Sequence, residues 1–271
     1  MQQAIAILDS GVGGLTVVKE VMRQLPQEKI IYFGDTARAP YGPRNAEEVK
    51  LFTTQIVEYL IHFNPKMIVI ACNTATAVAL EHIRTLVSVP VIGVITPGAR
   101  AAIKTTRSGK VGVIGTEGTI RSGAYEKALR MISPQLEIES LACPDLVTIV
   151  ENGIFSGDRA HNIVERSLQP LVDCPIDCLI LGCTHYPFLI DEISDVMGPN
   201  VALISSAEET AREISTVLYH NNALASSNSE PVHHFFCSGE PVIFKKITEA
   251  WLKDHIYGKP VVWQVPKFGE N

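Results

Sequence analysis

Leu179-Ile180-Leu181-Gly182-Cys183-Thr184-His185-Tyr186-Pro187 is the stretch on which the reading of this chain turns. An apolar run ends in a small residue and a cysteine, and polar side chains come next, where a helix should begin. Ile68-Val69-Ile70-Ala71-Cys72-Asn73-Thr74-Ala75 repeats the pattern earlier in the chain. A short apolar run bounded by turn chemistry reads as a buried strand. Open α/β sheets bind ligands beyond the carboxyl ends of their strands, so each cysteine falls on a binding rim. Two of them in matching contexts predict one site with a thiol on each side.

Working outward, apolar runs predict further strands at 4–8, 29–33, 89–94, 110–114, 136–141 and 201–204. Helical periodicity predicts helices over 15–25, 45–63, 76–86, 97–106, 120–131, 146–152, 158–171 and 188–196, and one ending near Tyr219. Strands alternating with helices imply parallel sheets covered by helices on both faces. Residues 34–44 and 221–230 read as polar loops, 234–237 as a late strand and 241–251 as a helix; the last twenty residues carry no clear pattern. There is also a weak internal repeat. From Asp9, after the first strand, to Cys72 is 63 positions (72 − 9), and from Thr116, in the corresponding loop, to Cys183 is 67 (183 − 116). Buried strands look alike, and two similar α/β halves could match by coincidence, but the Cys-Asn-Thr and Cys-Thr endings argue for a real correspondence.

Bulk properties narrow the function classes. The 271 residues are 46% hydrophobic, enough for a packed core. A net charge of −6 gives no general attraction to nucleic acid. The N-terminus lacks the basic segment of a signal peptide, and no apolar run reaches membrane-spanning length. A cytoplasmic protein is expected, with its six cysteines reduced.

Thiolate chemistry near neutral pH requires a lowered thiol pKa, and a helix N-terminus is one means of lowering it. Cys72 and Cys183 each precede an expected helix start. His185 lies two residues past Cys183; on an extended chain both side chains would share a face, placing an imidazole beside the thiol. Asp9 would share the rim with Cys72. Ser10, Asn73, Thr74, Thr116 and Thr184 would supply neutral donors for carboxylates. Cys143, Cys174, Cys178 and Cys237 read as packing residues, and His233 and His234 as surface or packing residues. A metal site from Cys174, Cys178, Cys183 and His185 is disfavoured, because the cysteine spacing is not that of zinc sites and Cys178 and Cys183 point to opposite faces of a strand. Gly11-Val12-Gly13-Gly14 lacks the residues of a phosphate loop or dinucleotide motif, and reads as a turn with an anion-facing helix start. A thiol hydrolase would leave the second cysteine unexplained, and a non-catalytic amino-acid-binding module would need a cleft but not two thiols. Neither a cofactor nor a metal is expected.

At these residues the chain resembles the glutamate racemases of the cofactor-independent aspartate/glutamate racemase superfamily. The matching segments are Asp9-Ser10-Gly11-Val12-Gly13-Gly14-Leu15, Gly34-Asp35 through Pro40-Tyr41-Gly42, Ala71-Cys72-Asn73-Thr74-Ala75, Gly115-Thr116, and Gly182-Cys183-Thr184-His185-Tyr186-Pro187. Aspartate-type relatives share the paired cysteines; the fuller motif set favours glutamate. The resemblance implies an α/β fold of two pseudo-symmetric domains, each a mostly parallel sheet flanked by helices, with the active site in the cleft between them. It implies domains of 1–95 plus 208–271 and 96–207. It further implies that Cys72 deprotonates D-glutamate with help from Asp9, and that Cys183 deprotonates L-glutamate with help from His185. Glu151 matches an acidic position that supports the histidine, although Asn152 and Thr148 depart from the pattern around it, where many members carry a second acid and a proline. Substrate contacts implied are Asp9, Ser10, Tyr41, Gly42, Asn73, Thr74, Thr116, Thr119, Thr184 and His185. The implied role is D-glutamate supply for peptidoglycan in a bacterial cytoplasm, by a possible homodimer. The first strand begins almost at once, so activation by a cell-wall precursor, tied in some relatives to an N-terminal extension, is not expected.

Overall fold

The structure is a computed structural model describing residues 3–226, 230–256 and 261–264. Its first half runs β1 (Ile5–Asp9), α1 (Leu15–Gln24), β2 (Ile30–Gly34), α2 (Ala46–Ile61), β3 (Met67–Ile70), α3 (Asn73–Leu86) and β4 (Val91–Gly93). Next come α4 (Ile95–Thr105), β5 (Lys110–Gly115), α5 (Glu117–Arg121), α6 (Ala124–Ile132), β6 (Glu137–Ala142), α7 (Pro144–Glu151), α8 (Asp158–Val172) and β7 (Cys178–Gly182). The chain ends with α9 (Ile190–Met197), β8 (Ala202–Ser205), α10 (Ser206–His220), β9 (His233–Cys237), α11 (Pro241–Trp251), α12 (Lys253–Ile256) and β10 (Val261–Gln264).

These strands form two sheets, ordered β10-β9-β2-β1-β3-β4 and β6-β5-β7-β8, with every pairing parallel. The order β2-β1-β3-β4 in the first sheet is the order β6-β5-β7-β8 in the second, with β1 matching β5 and β3 matching β7. The repeat seen in the sequence is therefore a repeat of topology, and β9 and β10 extend only the first sheet.

Side-chain alternation sorts the core. Ile5 and Ile7 pack with Leu179 and Leu181 in one cluster that joins the two halves through α1, α7, α8 and α10. Ala6 and Leu8 turn the other way, onto α2 and α3. Val111, Val113, Cys178 and Ile180 turn onto α4 and α6. The period of two is that of a pleated strand, and it sends Cys178 and Cys183 into different clusters, as the sequence implied.

Several expected elements are corrected. The helix expected over 120–131 is broken into α5 and α6 by Gly123, whose φ of 64° is a left-handed conformation that glycine adopts without steric cost. The helix expected from 188 is preceded by a 3₁₀ turn, Tyr186–Leu189, with Pro187 in its first turn, where a missing N–H costs nothing. The α3 helix starts at Asn73 rather than 76, and α4 at Ile95 rather than 97. His233 is buried, and its Nδ1 accepts the Ile30 amide at 3.3 Å, so it is a packing residue rather than a surface one. Strand β10 falls in the tail that sequence patterning left unplaced. Residues 227–229 of the expected loop lie outside the described residues. Among those described, no helix is long and apolar enough to cross a membrane.

Candidate active site

The carboxyl ends of β1, β3, β5 and β7 deliver Asp9-Ser10, Cys72, Thr116 and Cys183 to one place. A cavity there is lined from the first half by Ser10, Tyr41, Gly42, Cys72, Asn73 and Thr74, and from the second by Thr116, Cys183, Thr184 and His185. It measures about 10 Å³, roughly room for one water. The site is closed. Pro40 and Val147 also line it; neither has a chemical signature that sequence reading could single out. Cys143, Cys174, Cys178 and Cys237 do not line it.

Cys72 is the N-cap of α3, and its sulfur accepts the Ala75 amide at 3.5 Å. Its thiol donates to Ser10 Oγ at 3.6 Å. The expectation that a helix start lowers this thiol's pKa does not hold in the closed site. Burial, with the Asp9 carboxylate nearby, outweighs the helix and pushes it up to about 12. At pH 7 such a thiol would hold about one thiolate in 10⁵.

Cys183 has a different neighbourhood. It sits at a bend after β7, and its sulfur lies 3.6 Å from His185 Nδ1. An extended backbone is not what brings the two together: His185 is in a turn conformation, φ −78° and ψ −31°, and the chain folds the imidazole back onto the thiol. His185 Nε2 lies 2.5 Å from Glu151 Oε1, at the end of α7. Burial disfavours the imidazolium, but the hydrogen bonds to Cys183 and Glu151 outweigh it and hold His185 well above the ordinary histidine value. Burial would raise Glu151, but its bond to His185, the imidazolium charge and the Val12 amide hold it below the usual carboxylate value. The glycine turn explains this closeness. A side chain at Gly13 would come within 2.7 Å of His185 Nδ1, and one at Gly11 would collide with the Glu151 carboxylate. The anion expected at this loop is thus the protein's own Glu151, held by Val12.

Asp9 is fully buried and makes no hydrogen bond to Cys72. It accepts from the Gly11 amide at 3.0 Å and from Thr184 Oγ1 at 3.0 Å, bridging the two halves. Burial raises its pKa, and the His185 charge with the Gly11, Gly14 and Thr184 bonds offsets part of the rise. The direct side-chain partner of Cys72 is Ser10 instead. Three hydroxyls close the cleft on another side: Thr74 lies 2.9 Å from Thr116 and 3.2 Å from Thr119, and Thr116 lies 3.0 Å from Thr119. The Gly118 amide donates to Gly42 O at 2.9 Å. Tyr41 donates to the buried Asp35 carboxylate, which also accepts from Arg38 and Ser238 and so ties down the loop carrying Gly42. Of the residues singled out in the sequence, then, ten line the cavity, while Asp9, Thr119 and Glu151 stand behind Thr184, Thr74 and His185 respectively.

Comparison with known proteins places the chain in a family. A family model for Asp/Glu/Hydantoin racemase matches residues 10–214. A glutamate racemase of Bacillus cereus is 52% identical over 261 residues, 96% of this chain and 95% of its own. The crystal structure of glutamate racemase isoform RacE1 from Bacillus anthracis superposes with a TM-score of 0.92 at 50% identity, covering 98% of both chains. The Francisella tularensis glutamate racemase in complex with D-glutamate superposes at 0.91 with 33% identity, covering 100% of this chain and 99% of that one. This chain belongs to the Asp/Glu/Hydantoin racemase family, among its glutamate racemases.

Proposed function

We propose that the protein interconverts L- and D-glutamate by moving protons at Cα between Cys72 and Cys183. The observation that carries this reading is that one small cavity receives a thiol from each half of the fold. Inverting a stereocentre by proton transfer needs a base on one face of the carbon and an acid on the other. The asymmetry of the two thiols supports a starting state. For L-glutamate the cycle starts with Cys183, beside imidazolium His185, as the base, and with Cys72, held up to about 12, as the acid. Cys183 then takes the Cα proton of L-glutamate as the Cys72 proton is delivered to the opposite face. The products are D-glutamate, a Cys183 thiol and a Cys72 thiolate. Ser10 Oγ and the Ala75 amide stand ready to stabilise that thiolate. D-glutamate enters the same cycle in reverse.

The cleft hydroxyls suit a dicarboxylate, since Thr74, Thr116 and Thr184 can exchange the bonds they make to one another and to Asp9 for bonds to substrate. Asp9, with Thr184, suits the substrate ammonium. A cavity of about 10 Å³ cannot hold glutamate, so the halves must part to admit it and close again to exclude water from the carbanion-like state. The division into 1–95 plus 208–271 and 96–207 tracks the two sheets and belongs to the same reading. So do a bacterial cytoplasmic setting, a role in supplying D-glutamate for peptidoglycan, and a homodimeric assembly. The direct test is polarimetry of L-glutamate incubated with the pure protein and no added cofactor. Rotation decaying to zero is expected, and constant rotation refutes the reading.

A further inference from the structure

Asn73 carries an unexplained polar group. Its side chain lines the cavity and is 2% exposed, yet Nδ2 has no hydrogen-bond partner among the described residues. Its other end is held: the Tyr125 hydroxyl donates to Asn73 Oδ1 at 2.7 Å. Tyr125 comes from α6 in the second half, and Asn73 from α3 in the first. The Ser206 side chain, at the start of α10, lies beside the same phenol. A tyrosine hydroxyl has one hydrogen to give. With that hydrogen given to Asn73 Oδ1, the amide presents its carbonyl to Tyr125 and its NH₂ to the cleft. The bond from Tyr125 fixes which way the amide faces.

The surroundings keep the ring in place. A side chain on Gly182, just before Cys183, would come within 2.9 Å of Tyr125 Cε2, and one on Gly98 within 3.2 Å of its hydroxyl. The ring thus lies against the strand end that delivers one thiol while its hydroxyl grips the helix start that carries the other. Burial, with Cys183 nearby, keeps the phenol protonated and able to donate.

We propose that Tyr125 is a positioning residue for substrate binding: it orients the Asn73 amide so that Nδ2 meets a glutamate carboxylate across the interface between the halves. This rests on the racemase reading above. The predicted effect is on binding, because Tyr125 does not reach the reacting atoms.

The test is calorimetric binding of D-glutamate to the wild type, Tyr125→Phe, Asn73→Ala and the double variant, with racemisation of the wild type measured alongside. Tyr125→Phe keeps the ring and loses only the hydroxyl. It should weaken binding about tenfold in the wild-type background and less than about twofold in Asn73→Ala, because the hydroxyl has then lost the amide it orients. Kinetically, KM should rise with kcat nearly unchanged. Unchanged affinity in Tyr125→Phe, or the same tenfold loss with Asn73 already removed, overturns the proposal. Where Tyr125→Phe does not fold, Tyr125→Met, which also lacks the hydroxyl, carries the same cycle. It should weaken binding about tenfold through Asn73 alone, and unaltered affinity, or a loss that persists in Asn73→Ala, overturns the proposal. A wild type that binds but does not racemise glutamate fails the functional reading instead, a separate outcome.

Discussion

Cys72 and Cys183 end matching strands, β3 and β7, in sheets of the same order, yet they are chemically unlike. Cys72 has a serine hydroxyl and a backbone amide for company, with burial first and the Asp9 carboxylate second raising its pKa. Cys183 has a charged relay, an imidazole backed by a carboxylate. The repeat supplies two equivalent strand ends, and the segments leaving those strands make them different. After β3 the chain enters a 14-residue helix at once, whereas after β7 it turns, places His185 and only later becomes helical. A pseudo-symmetric fold therefore gives a site with two unlike thiols, one beside a hydroxyl and the other beside an imidazole.

Removing either thiol breaks this comparison most severely. Cys72→Ser and Cys183→Ser should each lower racemisation by about 10²–10⁴-fold in a polarimetric assay, and near-normal turnover in either would remove that residue from the pair. Next come the supports of Cys183. His185→Asn should lower kcat for L-glutamate about tenfold more than kcat for D-glutamate. The enantiomers have equal energy, so kcat/KM must fall equally in both directions, and the asymmetry belongs to kcat alone. Equal kcat losses would argue that the histidine serves both thiols.

Glu151→Gln sharpens the charge difference through pH. His185 is held above its ordinary value of 6.5, so its stabilisation is complete below that value and is lost as pH rises through the folded one. Glu151 is held below 4.5, so its share is complete above that value and is lost as pH falls through the folded one. The Tm gap between wild type and Glu151→Gln should be widest between about pH 4.5 and 6.5 and should narrow on both sides. A gap that does not vary with pH would mean the pair is not ionic.

Ser10→Ala tests the neutral side. It should cost about three- to tenfold in activity and move the acidic limb of the D-glutamate pH profile upward, because a thiolate donor is lost. The smallest effect on activity belongs to Cys178→Ala, whose side chain packs on α4, away from the cleft. Chemical denaturation should show a loss of about 1–2 kcal/mol with racemisation unchanged.

Much of this is legible in the sequence because buried strands and their polar termini are local signals. The paired thiols, Asp9, the threonines and the parallel architecture can all be read from runs of a few residues. The geometry of support cannot. His185 reaches Cys183 through a turn that an extended-strand argument does not contain. Cys72 lies against Ser10 rather than Asp9 because the direction of each side chain past β1 depends on the turn at Gly11. The Cys72 environment escapes sequence reading for a related reason: the sequence marks a helix start, but burial, the larger effect, is a tertiary property. Tyr125 sits among helix residues with apolar periodicity, and nothing in its neighbours marks a hydroxyl that crosses to the other half. Strand β10 forms beside β9, from a tail whose own pattern is mixed.

The central claim is that two different groups serve the two faces of Cα, and solvent isotope tests it most directly. L-glutamate is incubated with the protein in deuterated water and sampled at low conversion. The D-glutamate formed should carry deuterium at Cα, while the remaining L-glutamate carries almost none. Deuterium accumulating equally in both enantiomers, or protium retained in the product, would point to a single shared base and contradict the account.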